Sequence, residues 1–133
     1  TLTYPDLRSI VICPSNPFLS IDPILNVPGV RDLITSTKVP VVAVSPIIAG
    51  EAVKGPAAKM MREIGLPSSP VGIVEHYGKL IDGIIIDERD TSLRDTITAT
   101  GLKVKVCQTL MQSDNDEKTL AIKTIKFADT LSY

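Results

Sequence analysis

Val11-Ile12-Cys13-Pro14-Ser15-Asn16-Pro17-Phe18-Leu19-Ser20-Ile21-Asp22-Pro23 decides how this chain is read. An apolar run stops in a short polar turn bracketed by two prolines and resumes as a helix-like segment. In open α/β sheets the crevice beyond the carboxyl end of a strand is where ligands sit. Small residues there let free N–H groups, helped by the dipole of the following helix, face an anion. The stretch reads as strand, phosphate-binding turn and helix. The plainer alternative is an ordinary strand-to-helix turn capped by Ser15 or Ser20.

Working outward, short β-branched runs at residues 9–13, 39–44, 83–86 and 103–106 suit strands buried on both faces. Helical segments follow at 19–26 and 29–35, with Pro28 placed to open the second. Residues 55–64 form the next, closed by Gly65 and Pro67. Residues 69–79 carry Ile73, Val74 and Tyr77 on one side, continued by Leu80 just beyond, and 90–100 end at Gly101. Asp114 with Glu117 is spaced as a capping box for a last helix through Leu131. This alternation predicts an α/β fold: a doubly wound, mostly parallel sheet with helices on both faces, Rossmann-like. No repeat or linker divides residues 1–133, which read as a single domain.

With 133 residues, 44% of them hydrophobic and 22% charged, the chain can bury a real core. A net charge of −1 supplies no field for nucleic acid or anionic lipid, and neither is an expected partner. Lys118, Lys123 and Lys126 read as the solvated side of a helix. Cys13 and Cys107 lie far apart, near the ends of apolar runs, and are expected to be buried reduced thiols. No apolar run approaches the roughly 20 residues needed to span a bilayer. The first ten residues are no signal peptide, so a cytoplasmic protein is expected. The chain opens on Thr1 rather than Met and is expected to be a piece of something longer.

Three segments carry candidate chemistry. In the first turn, Pro14 and Pro17 fix φ and remove donors, leaving Ser15, Asn16, Phe18 and Ser20 to cradle a phosphate. Asp22 would repel that anion unless turned away. The second segment is Ser45-Pro46-Ile47-Ile48-Ala49-Gly50-Glu51-Ala52-Val53-Lys54-Gly55-Pro56, also beyond a strand. There Lys54 is either a flexible point cation for phosphate or a solvated loop lysine. The third, Asp87-Glu88-Arg89-Asp90, offers carboxylates for Mg²⁺, but the favoured expectation is that Asp90 caps the next helix while Glu88 and Arg89 face water. His76 has no suitably spaced acid or nucleophile and is expected to be structural or exposed. A Walker loop, G-x-G-x-x-G and G-x-S-x-G are all missing, which leaves the usual kinases, dinucleotide dehydrogenases and serine hydrolases without support.

The block at 11–25, together with the block at 45–56 and Ile81-Asp82-Gly83-Ile84-Ile85-Ile86-Asp87, closely resembles the 2-phospho-L-lactate transferase family, in its carboxyl-terminal half. The similarity runs from about residue 9 to 110, with the end of the chain as an alternative bound, while residues 1–8 are expected to lie outside it. A sister family of nucleotide-sugar-binding regulatory proteins is similar in architecture but has a glycine-rich first turn. The resemblance implies a transferase of coenzyme F-420 biosynthesis. Such enzymes move the 2-phospholactyl (or phosphoenolpyruvyl) group of a guanosine diphosphate ester to the ribityl hydroxyl of 7,8-didemethyl-8-hydroxy-5-deazariboflavin. They release GMP and require Mg²⁺.

Carried onto this chain, the resemblance places Ser15, Asn16 and Ser20, within the turn that includes Pro17 and Phe18, on the diphosphate. Ser45, Gly50, Lys54 and Gly55 would form a second wall. It assigns no catalytic residue. The family's glycine-rich opening strand and the acidic residue near deazaflavin and metal lie upstream of these motifs. A piece of this kind is expected to be inactive alone, with the Mg²⁺ ligands outside it, and a homodimer is a further candidate assembly. A non-catalytic nucleotide-sugar-binding regulator on the same fold is the main alternative, followed by an α/β interaction module that binds no nucleotide.

Overall fold

The structure is a computed structural model and describes residues 2–132. β1 (Ile10–Ile12) leads through a wide π-type turn, Pro17–Ile21, into α1 (Asp22–Leu25) and α2 (Val30–Ser36). β2 (Val41–Val44) is followed by a small antiparallel hairpin, β3 (Ile47–Ile48) and β4 (Glu51–Ala52), then α3 (Ala57–Glu63) and α4 (Pro70–Tyr77). β5 (Gly83–Ile86), a 3₁₀ segment Glu88–Leu93, α5 (Arg94–Thr98), β6 (Lys103–Val106) and α6 (Asp114–Thr130) complete the chain. The main sheet is parallel throughout, in the order β1-β2-β5-β6, with Ala43 in register with Ile12 on one side and Ile84 on the other.

Strand alternation divides the core into two layers. Ile12, Val41, Ala43, Ile84 and Ile86 pack with Leu25, Ile34, Met61, Ile73, Tyr77 and Ile97, which come from α1 to α5. Val42, Val44, Ile85 and Cys107 pack on the other side with Leu120 and Ala128 of α6, flanked by Phe127 and Leu131. Among the described residues, helices thus cover both faces of an α/β sheet, α1 to α5 on one side and α6 on the other. That single helix explains a correction to the expected burial. β2 and β5 are buried along their whole length, whereas Val11 is 38% exposed and Lys103 and Lys105 of β6 reach solvent. An edge strand loses cover wherever no helix lies over its outward residues.

Local chemistry accounts for most of the boundaries and for several shifts from expectation. Pro28 does not open α2; Gly29, at φ +83°, turns the chain in the left-handed region and the helix begins at Val30. Ser113, not Asp114, caps α6. Its hydroxyl accepts the Asp116 N–H at 3.2 Å, while Asp116 accepts the Gln112 N–H at 2.9 Å, so the box sits one residue early. Cys107 is buried as expected, but Cys13 is exposed, because it has already left β1 at the sheet's outer edge. At Gly83 the C-terminal end of α6 and its cap press on the sheet: a Cβ there would stand 2.7 Å from Leu131 Cδ1 and 2.9 Å from Phe127 Cε1. No helix among the described residues is long and apolar enough to cross a membrane.

A cleft at the carboxyl ends of the strands

Parallel strands deliver all their following loops to one end of the sheet. There the segments after β1, β2 and β6 enclose a cleft of about 530 Å³. Of the residues expected to bind ligand, Ser15, Asn16, Ser20, Ser45, Lys54 and Gly55 line it. Pro17, Phe18 and Gly50 do not. Pro17 is buried beneath the turn, the Phe18 ring stands edge-on to His76 with centroids 4.8 Å apart, and the Gly50 carbonyl accepts the Ser68 hydroxyl at 2.7 Å.

The first turn is organised by Asn16. Its Oδ1 accepts the N–H groups of Phe18 and Leu19 at 2.9 and 3.0 Å, capping the π-type turn. Its own carbonyl accepts the Ser20 N–H at 3.0 Å. The donors of Phe18 and Ser20 are therefore spent within the turn. Among the described residues, the N–H groups of Ser15 and Asn16 and the hydroxyls of Ser15 and Ser20 have no protein hydrogen-bond partner. Asn16 Nδ2 makes one weak contact, 3.6 Å to Met60 Sδ.

Asp22 lies outside the cleft, with its Oδ1 2.9 Å from His76 Nε2. The acid that His76 lacked in sequence thus arrives from 54 residues earlier. His76 sits between the rings of Phe18 and Tyr77 and joins α4 to the segment under the first turn. Burial, with the nearby Asp22 charge adding to it, pushes the Tyr77 phenol well above its ordinary range.

The second wall is held from within and from beneath. Ser45 is 1% exposed, and its hydroxyl donates to the Ile47 carbonyl and accepts the Ile47 N–H, at 3.1 and 3.2 Å. This closes the turn into β3. At the hairpin tip Ala49 takes φ +50°, rare for a side chain with a Cβ, and its N–H reaches both oxygens of Asp90 at 3.2 and 3.1 Å. The expectation that Asp90 caps a helix is therefore corrected. Asp87 does the capping by accepting the Arg89 N–H at 3.0 Å, and the 3₁₀ turn carries Asp90 inward to the hairpin. Glu88 and Arg89 do face water. Lys54 is exposed and forms no ion pair among the described residues.

The third wall was not foreseen. Thr109, Met111 and Glu117 line the cleft from the segment after β6 and from the first turn of α6. Thr109 is 4% exposed, and its N–H and hydroxyl lie 2.9 and 3.2 Å from Asp87 Oδ2. Burial works to raise the Asp87 pKa. The N–H groups of Arg89, Thr109 and Leu110 and the Thr109 hydroxyl outweigh it, so the carboxyl sits below its ordinary value. Asp90 moves the other way: burial raises its pKa, the Ala49 N–H opposes this, and the Asp87 charge adds to the rise. The position of Thr109, just beyond a strand's carboxyl end, was the available signal, but no small-residue turn or basic side chain drew attention to it.

Mg²⁺ prefers several hard oxygen ligands. Both Asp87 oxygens accept protein donors, Asp90 holds Ala49, and Glu117 is the one carboxylate among the residues lining the cleft. No group of three or more potential ligands comes together among the described residues, and these side chains do not fit a Mg²⁺ site.

Residues 4–128 match the family model described as 2-phospho-L-lactate transferase CofD, so the similarity begins before residue 9 and runs past residue 110, correcting the narrower expected span. The chain is 40% identical over 123 residues to a 2-phospho-L-lactate transferase of Methanosarcina barkeri, covering 92% of this chain and 39% of that protein. It is 38% identical over 122 residues to a 2-phospho-L-lactate transferase of Methanocaldococcus jannaschii, covering 92% and 38%. A phosphoenolpyruvate transferase of Streptomyces griseus is 34% identical over 121 residues, covering 90% and 38%. The chain spans about two fifths of the length of these relatives, less than the half expected from its motifs. The chain belongs to the 2-phospho-L-lactate transferase CofD family.

Proposed function

We propose that this chain supplies the nucleotide side of a cytoplasmic transferase acting in coenzyme F-420 biosynthesis. The donor is a guanosine diphosphate ester of a three-carbon acid, and the acceptor is the ribityl hydroxyl of 7,8-didemethyl-8-hydroxy-5-deazariboflavin. The hydroxyl oxygen attacks the phosphorus that bears the acid, and a new P–O bond forms. The bond from that phosphorus to the bridging oxygen breaks, GMP leaves with that oxygen, and the hydroxyl proton passes to base or solvent. Such a displacement is accelerated by positioning and by donors around the transferring oxygens.

One observation carries the proposal: unspent donors of the first turn and the Lys54–Gly55 loop face the same cleft. In this reading Ser15, Asn16 and Ser20 hold the diphosphate, and Lys54 and Gly55 close over it. Pro17 and Phe18 shape the turn, while Ser45 and Gly50 shape the loop. The Mg²⁺ of the family's chemistry would draw on ligands outside this chain. The test is a titration of the full-length protein with GDP and with a uridine diphosphate sugar, alongside an assay for GMP release in the presence of the deazaflavin. Preference for GDP with GMP release supports the proposal. Preference for the uridine sugar with no phosphodiester formed would favour a non-catalytic regulator.

A further inference from the structure

Among the described residues, Ser45 and Thr109 are the two buried hydroxyl residues that line the cleft, and of the two it is Thr109 that bonds a carboxylate. It is almost fully buried yet lines the cleft, and its hydroxyl lies 3.2 Å from an Asp87 oxygen that also takes the Thr109 N–H at 2.9 Å. An ionised carboxylate only accepts hydrogen bonds, so the Thr109 proton is committed to Asp87. What the hydroxyl still offers is a lone pair. The turn after β1 presents the unspent N–H groups of Ser15 and Asn16, and the loop after β2 presents the Lys54 ammonium. Those two walls are suited to anionic oxygens, and Thr109, beyond the strand at the other edge of the sheet, is suited to a hydrogen-bond donor.

We propose that Thr109, oriented by Asp87, accepts a hydrogen bond from a hydroxyl group of the bound substrate. This deepens the proposed function and rests on it, since a nucleoside diphosphate bound by its phosphates still has ribose hydroxyls to place. The alcohol that attacks phosphorus is a second source of the same chemistry. In either case Thr109 reads the ligand and Asp87 is a positioning residue that acts through it. Asp87 holds the threonine χ1 and the backbone together, because one oxygen takes both groups. A free threonine on a loop would donate and accept indifferently; this one is fixed as an acceptor.

The experiment compares full-length wild type with Thr109→Val and Thr109→Ser. Calorimetry with GDP and with 2′,3′-dideoxy-GDP is joined to steady-state kinetics for the deazaflavin alcohol. Thr109→Val is expected to weaken one ligand about three- to tenfold, the usual size of one lost hydrogen bond, and Thr109→Ser to retain most of the affinity. If the loss appears with GDP and vanishes with dideoxy-GDP, the hydroxyl belongs to the ribose. If GDP affinity is unchanged and the KM for the alcohol rises, it belongs to the acceptor substrate. Equal losses with GDP and dideoxy-GDP would show a purely structural threonine and overturn the inference, as would a folded Thr109→Val that matches wild type on every ligand. A wild-type protein that binds no GDP would instead defeat the proposed function, and this inference with it.

Discussion

Asp90 and Ala49 are 41 residues apart, and both oxygens of the buried carboxylate reach the one N–H of Ala49, at 3.2 and 3.1 Å. The contact holds a left-handed alanine at the tip of the β3–β4 hairpin, from which the chain runs directly into Val53, Lys54 and Gly55. Asp90→Ala leaves that N–H unpaired. It is expected to cost about 1–3 kcal/mol of stability and to weaken GDP binding through the loosened lysine loop. Asp90→Asn, which keeps an acceptor oxygen, is expected to recover most of both. Urea denaturation read beside calorimetry checks the pair; a GDP affinity identical in Asp90→Ala and wild type would detach the hairpin from the site.

Asn16 has two separable duties. Its Oδ1 caps the first turn and its Nδ2 makes only a weak contact with Met60 Sδ, while Asn16 lines the cleft with its backbone N–H unspent. Asn16→Ala is expected to lose the cap, about 0.5–2 kcal/mol, and to weaken GDP by about 1.5–3 kcal/mol, the range for a hydrogen bond to a charged group. Asn16→Asp keeps a good capping oxygen, so its stability should stay near wild type while its GDP affinity falls below that of the alanine variant. Equal GDP affinity in all three proteins would remove Asn16 from the site.

Asp87 predicts a pH dependence of stability. Its folded-state carboxyl titrates below its value of about 3.9 in the unfolded chain. The stabilisation is complete above that value and is lost as the pH falls through the folded-state pKa. Asp87→Asn is expected to be less stable than wild type at neutral pH, with the gap narrowing as the pH drops below about 4. Urea midpoints recorded between neutral and strongly acidic pH check the sign; a gap that widens in acid would contradict it.

Gly83 tests how tightly α6 seals its face of the sheet. With Leu131 and Phe127 less than 3 Å from the site of an added methyl, Gly83→Ala is expected to cost about 1–3 kcal/mol by overpacking. The loss is read as a lowered Tm, while Gly29→Ala, strained only by its φ of +83° with open space around it, should leave α6 seated. An unchanged Tm in Gly83→Ala would mean that α6 can move off the sheet freely.

The four main strands were legible because short β-branched runs bounded by Pro, Gly and Asp leave few other options. The first turn was legible for the same reason, since two prolines around Ser-Asn fix the backbone locally. The third wall was not. Thr109 reaches the cleft only because Asp87, 22 residues earlier, accepts both its donors, and no local pattern announces such a pairing. Asp90 misled for a related reason: Asp before a helical segment is usually a cap, and only the tertiary position of the hairpin tip shows that it braces Ala49. Likewise, the partner of His76 was invisible until α4 and the segment after β1 were placed side by side.

The most direct test is an amide chemical-shift titration of the ¹⁵N-labelled full-length protein with GDP. The largest shifts are predicted at Ser15, Asn16 and Gly55, one cluster drawn from two loops that are distant in sequence. Shifts that leave those three amides in place and gather elsewhere on the molecule would contradict the proposed site.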